Sequence, residues 1–120
     1  MTEAEVGGDT DRLLHILRTT LRAEVRSDQP DLRLRQLAIL LVVYRAKDLQ
    51  SASALVDHLR IPKSAVTRAI DHLEDLDLAY RVINDQDRRR VLVHRTTLGA
   101  AMVERLGTAM AKEAVENGAV

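Results

Sequence analysis

The sequence predicts an α+β, mostly helical fold, and three observations carry that prediction. Apolar residues recur at helical spacing along most of the 120 residues. The period switches once to strict alternation, between Ala79 and His94. The turn inside that alternating stretch holds three consecutive arginines, Arg88, Arg89 and Arg90.

Residues 1–10, with Glu3, Glu5 and Asp9 and an adjacent glycine pair, are expected to form a disordered N-terminal tail, and a single domain is expected over 11–120. Leu13, Leu14, Leu17, Leu21 and Val25 fall at i, i+3, i+4, i+7 spacing and predict a first helix over about 11–27. Asp28-Gln29-Pro30 breaks it. Asp31 is the expected cap of a second helix, about 32–46, in which Leu34, Leu37, Ala38 and the run Leu40–Tyr44 leave hardly any polar face, so this helix is expected to be central and buried. Ser51 suits the N-cap of a third helix over about 52–59, with Leu55, Val56 and Leu59 inward.

Pro62 starts a fourth helix running to about Asp75, because proline is tolerated in a first helical turn. Its core stripe is Val66, Ala69, Ile70 and Leu73, which leaves Lys63, Ser64, Thr67, Arg68, Asp71 and His72 outside. Two short helices joined by a tight turn, about 51–76, make a helix-turn-helix. The alternating segments 79–83 and 90–94 around the polar tip Asn84-Asp85-Gln86-Asp87 make a hairpin wing, about 79–95. Thr96 or Thr97 caps a last helix over about 97–116, striped by Leu98, Met102, Leu106, Ala109 and Met110.

The expected architecture is thus a winged helix-turn-helix with N- and C-terminal dimerisation helices. The unit from the second helix through the wing has its own core. The stripes at the two chain ends, Leu13, Leu14, Leu17 and Leu21 with Leu98, Met102, Leu106 and Met110, are therefore expected to bury each other across the two-fold axis of a homodimer, with part of the second helix joining them.

Composition narrows the function. The longest uncharged apolar run, Leu37 to Tyr44, is far short of a bilayer span, and no membrane partner is expected. The acidic N-terminus has no apolar stretch behind a basic start, so the expected location is cytoplasmic. The absence of cysteine removes thiolate zinc sites, cysteine nucleophiles and disulfides. His58 and His72 lie on neighbouring helices without a third converging ligand, so neither metal nor cofactor is expected. His15 is expected to be a partly buried structural residue. Five glycines provide no Gly-rich loop for a phosphate or oxyanion, which argues against an enzyme.

Aromatic residues make up only 2% of the chain, too few for the stacking platforms that hold single strands, so any nucleic acid bound should be duplex. The formal net charge is zero, but its distribution is uneven. Residues 1–30 hold four basic and six acidic side chains, whereas residues 81–95 hold five arginines against Asp85 and Asp87. Lys63, Ser64, Thr67 and Arg68 on the fourth helix offer phosphate contacts and base-edge hydrogen bonds in a major groove. Arg88, Arg89 and Arg90 are placed to read the narrow, electronegative minor groove beside it.

From Leu34 to Gly99 the residues resemble MarR-type transcriptional regulators. The resemblance is carried by Leu34-Arg35-Gln36-Leu37, by Ser64-Ala65-Val66-Thr67-Arg68 with Ile70-Asp71-His72-Leu73-Glu74, and by Asp77-Leu78-Ala79-Tyr80-Arg81. It continues through the wing from Asn84 to Val93 and closes on Thr96-Thr97-Leu98-Gly99. It implies a homodimeric regulator, a repressor, binding a pseudo-palindromic double-stranded DNA site through recognition helix 62–75 and the Arg-rich wing. It also implies that Ser64, Thr67 and Arg68 are recognition contacts, that Asp87 braces the wing by pairing with an arginine, and that Arg88 or Arg89 reaches the minor groove. Arg60 stands where the family favours a turn glycine, and Pro62 where a hydroxyl cap is usual. The short chain ends imply that a pocket for a small-molecule effector, whose identity the sequence does not give, is small or missing. The alternative reading is a winged-helix protein-interaction module without DNA binding.

Overall fold

The computed structural model describes residues 3–117, with side chains from Gly7 onward. The elements are α1 (Glu3–Arg26), α2 (Leu34–Arg45), β1 (Gln50–Ser51), α3 (Ala52–Leu59), α4 (Lys63–Asp75), β2 (Ala79–Ile83), β3 (Val91–Arg95) and α5 (Thr97–Glu116). The chain, read from its sequence as one domain over 11–120, divides into two compact units. One is Leu32–Val103, and the other combines the segments on either side of it.

In the Leu32–Val103 unit, Ile39, Leu40 and Val43 of α2 meet Leu55 of α3, the full stripe Val66, Ala69, Ile70 and Leu73 of α4, and Val93 of β3. Ser51 caps α3 as expected, its hydroxyl accepting the Ala54 N–H at 3.0 Å. The cap of α2 differs from expectation. Arg33, not Asp31, is the N-cap. The Gln36 side-chain oxygen reaches back to accept the Arg33 N–H at 2.9 Å, a bond available only at N3 spacing. The same helix is less enclosed than its apolar sequence suggests, since Leu34 is 83% exposed and Leu41 also reaches solvent.

Two left-handed residues shape the turns around α4. Arg60 (φ 55°, ψ 44°) ends α3 and donates its N–H to the Val56 carbonyl at 2.8 Å. An arginine thus occupies the conformation that glycine takes without strain, as its place in the turn implied. Asp77 (φ 58°) follows α4, which closes with both bonds of a Schellman motif, Asp77 N–H to Glu74 O and Leu78 N–H to Leu73 O. Aspartate tolerates this conformation better than most residues.

The hairpin pairs β2 with β3 antiparallel, from Ala79 opposite Arg95 to Ile83 opposite Val91. A third strand, β1, adds Gln50 and Ser51 against Val93 and Leu92, giving the order β1-β3-β2. Thr96, the first of the two candidate caps, starts α5. Its hydroxyl accepts the Gly99 N–H at 2.9 Å and donates to the Asp77 carbonyl at 2.6 Å. A Cβ on Gly99 would stand 2.0 Å from the Leu78 carbonyl oxygen, so only glycine lets α5 approach the turn before β2 this closely.

Met102, expected at the dimer seam, is 3% exposed and belongs to the core of this unit together with Val103. The apolar stripe of α5 changes its job along the helix, because the helix runs from one compact unit into the other.

In the second unit α1 begins at Glu3, not Asp11, so the helix takes in most of the segment expected as a tail; Met1 and Thr2 lie outside the described residues. Within α1, Asp9 pairs with Arg12 one turn on. Glu24 pairs with Arg105, and His15 Nε2 lies 3.9 Å from Glu113, so α1 runs antiparallel to the distal half of α5. His15 is exposed, not partly buried as expected. Ile16 and Thr20 are the buried face of α1, the Thr20 hydroxyl bonding the Ile16 carbonyl at 2.8 Å. The two terminal helices, expected to bury each other across a two-fold axis, therefore pack within one chain. Leu13, Leu14, Leu17, Leu21 and Val25 remain outward, Leu14 58% exposed and Val25 80%. On α5, Leu98 and Met110 are exposed and Leu106 is half-buried. No described helix is long and apolar enough to cross a membrane.

Candidate nucleic-acid interface

Burial of Val66, Ala69, Ile70 and Leu73 fixes the rotation of α4, and the residues between them are forced outward. Lys63, Ser64, Thr67, Arg68, Asp71 and His72 are all exposed. Arg68 Nε donates to the Ser64 carbonyl at 3.3 Å, which lays its stem along the helix.

The wing tip is a closed turn. Asn84 N–H bonds Arg90 O at 3.1 Å, Asp87 N–H bonds Asn84 O at 3.2 Å and Arg90 N–H bonds Asp87 O at 2.9 Å. Asn84 Oδ1 accepts the Gln86 N–H at 3.0 Å in an Asx turn. Asp87 Oδ1 accepts both the Arg89 N–H, at 3.1 Å, and Arg89 Nε, at 3.4 Å. Arg88, Arg89 and Arg90 are exposed, and among the described residues no carboxylate pairs with Arg88 or Arg90.

The other two arginines of the basic segment have different work. Arg95 donates to the Tyr44 carbonyl and lies 4.6 Å from the centre of the Tyr44 ring, tying β3 to α2. Arg81 Nη2 donates to Asp71 Oδ1 at 2.6 Å and to the Thr67 carbonyl at 3.4 Å, while Nη1 pairs with Glu74 Oε1. Burial works against the Arg81 charge, but the hydrogen bonds and attraction from Asp71 and Glu74 outweigh it and raise its pKa above the ordinary value. The consequence is electrostatic. Asp71, the acid among the six outward residues of α4, is partly offset by Arg81 of the wing, which it shares with Glu74, so its opposition to Lys63, Arg68 and the tip arginines is weakened. The partners of Arg81 and Arg95 were not legible in the sequence, because contacts between elements leave no periodic signal.

The MarR family profile matches residues 31–90, from the approach to α2 to the last wing arginine. The chain belongs to the MarR family. The matched half of this MarR-family chain contains the whole helix-turn-helix and the wing tip, so the family pattern and the basic face coincide in sequence. Solved structures agree on the fold. The S. aureus MepR–DNA complex is similar at 21% identity over 86% of this chain and 79% of that one, with a TM-score of 0.69. The transcriptional regulator PA4135 shares 16% identity over 97% of this chain and 80% of its own, with a TM-score of 0.67. Lactococcus lactis ZitR shares 24% over 72% and 57%, with a TM-score of 0.61. No curated protein sequence matches the chain. MarR-family members are transcriptional regulators, not enzymes. Among the described residues no cluster of three or more histidine or acidic side chains is placed to hold a metal ion.

Proposed function

We propose that this MarR-family protein binds double-stranded DNA as a homodimer at a pseudo-palindromic site and represses transcription by occupying it. The observation that carries this reading is the basic face itself: Lys63 and Arg68 on α4 and Arg88, Arg89 and Arg90 at the tip are exposed, while Asp71 and Glu74 share the charge of Arg81. α4 enters the major groove with Lys63, Ser64, Thr67 and Arg68 toward the duplex. The tip, stiffened by Asp87 on Arg89, offers Arg88, Arg89 and Arg90 to the adjacent minor groove. MepR, similar in fold, has been solved with DNA.

Two copies join through the outward stripe of α1, where Leu14, Leu17, Leu21 and Val25 border an open apolar surface on that helix. A stripe of this kind on a regulator that reads an inverted repeat is most economically covered by its own two-fold copy.

The test is binding to random duplex DNA over a salt series. A DNA-binding protein gives a steep linear fall of log affinity with log salt. A flat response favours the alternative of a protein-interaction module.

A further inference from the structure

Arg33 and Arg35, which no motif singled out as contacts, stand at the start of α2 beside the outer face of α4. Together with Arg68, His72, Gln36 and Leu34 they border an open groove of about 660 Å³ within the Leu32–Val103 unit. Three guanidinium groups line it and no carboxylate does. Among the described residues neither Arg33 nor Arg35 has an ion pair, and the first turn of α2 contains no acidic residue.

This arrangement runs against local helix electrostatics. The N-terminal end of a helix carries partial positive charge and favours anions, yet here the N-cap is a cation that has no acceptor to offer, and a second cation follows two residues on. The Gln36 oxygen satisfies the Arg33 backbone N–H but brings no charge, and a charge that its own helix start leaves unbalanced marks a place where something outside the chain supplies the partner. The missing partner here is an anion. Guanidinium forks match the oxygens of a phosphate in pairs.

We propose that this groove seats a backbone phosphate of the bound duplex, held by Arg33, Arg35 and Arg68, and that Arg68 is a phosphate anchor and not a reader of bases. The groove shares Arg68 and His72 with the outward face of α4, so it continues the interface already described and fits the flanking backbone of the same DNA. The Arg68 stem, held to the Ser64 carbonyl, lies along the helix beside the groove. The inference rests on the DNA-binding reading and extends its footprint from α4 and the wing to α2.

The experiment measures affinity of the full chain, Arg33→Gln, Arg35→Gln, the double variant and Arg68→Gln for a selected operator and for random duplex, by fluorescence anisotropy over a salt series, with thermal melts of each. Each substitution should flatten the log-log salt slope by about one unit and weaken operator and random duplex by the same factor, leaving their ratio unchanged. Melts of Arg33→Gln and Arg35→Gln should be equal to or above the parent, since a cation leaves a helix N-terminus. A steep parental slope that the double variant leaves unchanged overturns the phosphate seat while DNA binding stands. Loss of operator affinity alone in Arg68→Gln overturns the anchoring role of Arg68. A parent that shows no salt-dependent affinity for any duplex overturns the DNA-binding reading and this inference with it.

Discussion

Arg81 holds Glu74 by both carboxylate oxygens: its guanidinium pairs with Oε1, and its backbone N–H lies 3.4 Å from Oε2. The first strand of the wing is thereby fixed to the last turns of α4, and the same guanidinium takes Asp71. One side chain sets the angle between the two elements and offsets part of the negative charge on the face they share.

Replacing Arg81 by Met should therefore show in two measurements. Stability should fall by about 1 kcal/mol, the pairs being partly exposed and screened, as read from urea unfolding. DNA affinity should fall for every sequence alike, because Asp71 and Glu74 regain their field. The raised pKa of Arg81 means its contribution is complete below its unfolded pKa and is lost only as pH rises through the still higher folded one. The effect of Arg81→Met should accordingly be constant across neutral pH.

Gly99→Ala should destabilise by about 1–3 kcal/mol or more, since the added methyl meets a backbone carbonyl and not a mobile side chain. Gly107→Ala, with open space around it, serves as the control and should be neutral or slightly stabilising. Paired thermal melts distinguish the two.

Arg60→Gly should raise stability by about 0.5–1 kcal/mol. Relief of the left-handed strain, about 1–2 kcal/mol, exceeds the added freedom of glycine in the unfolded chain. A melt lowered by this substitution would show that the arginine stem contributes packing that the strain argument omits.

Leu17→Asp with Leu21→Asp should convert a dimer into a folded monomer in equilibrium sedimentation. These residues face away from the Ile16–Thr20 side of α1, so the charge enters only the proposed seam. An unchanged dimer would place the interface elsewhere.

Much of the fold was legible because periodicity is a local property. The α4 stripe, the Ser51 cap and the two hairpin strands follow from residue spacing and side-chain chemistry alone. β1 was not legible, since two residues paired to a distant strand leave no alternation to detect. Met102 was misplaced for a related reason: a stripe at helical spacing looks the same whether it faces a second copy of the chain or its own core. The outward residues of the candidate interface follow from the stripe, but the role of Arg81 depends on a contact between α4 and β2 that no single segment encodes. Arg33 escaped notice because Asp31 offered a conventional cap two residues earlier, and the Gln36 oxygen decided the matter.

If two copies of α4 and the wing read one duplex, the sequences selected from a random double-stranded pool carry the symmetry of the pair. The expected result is enrichment of an inverted repeat whose half-sites lie about one helical turn, roughly 10 base pairs, apart centre to centre. Recovery of unrelated sequences with no repeated half-site would contradict it.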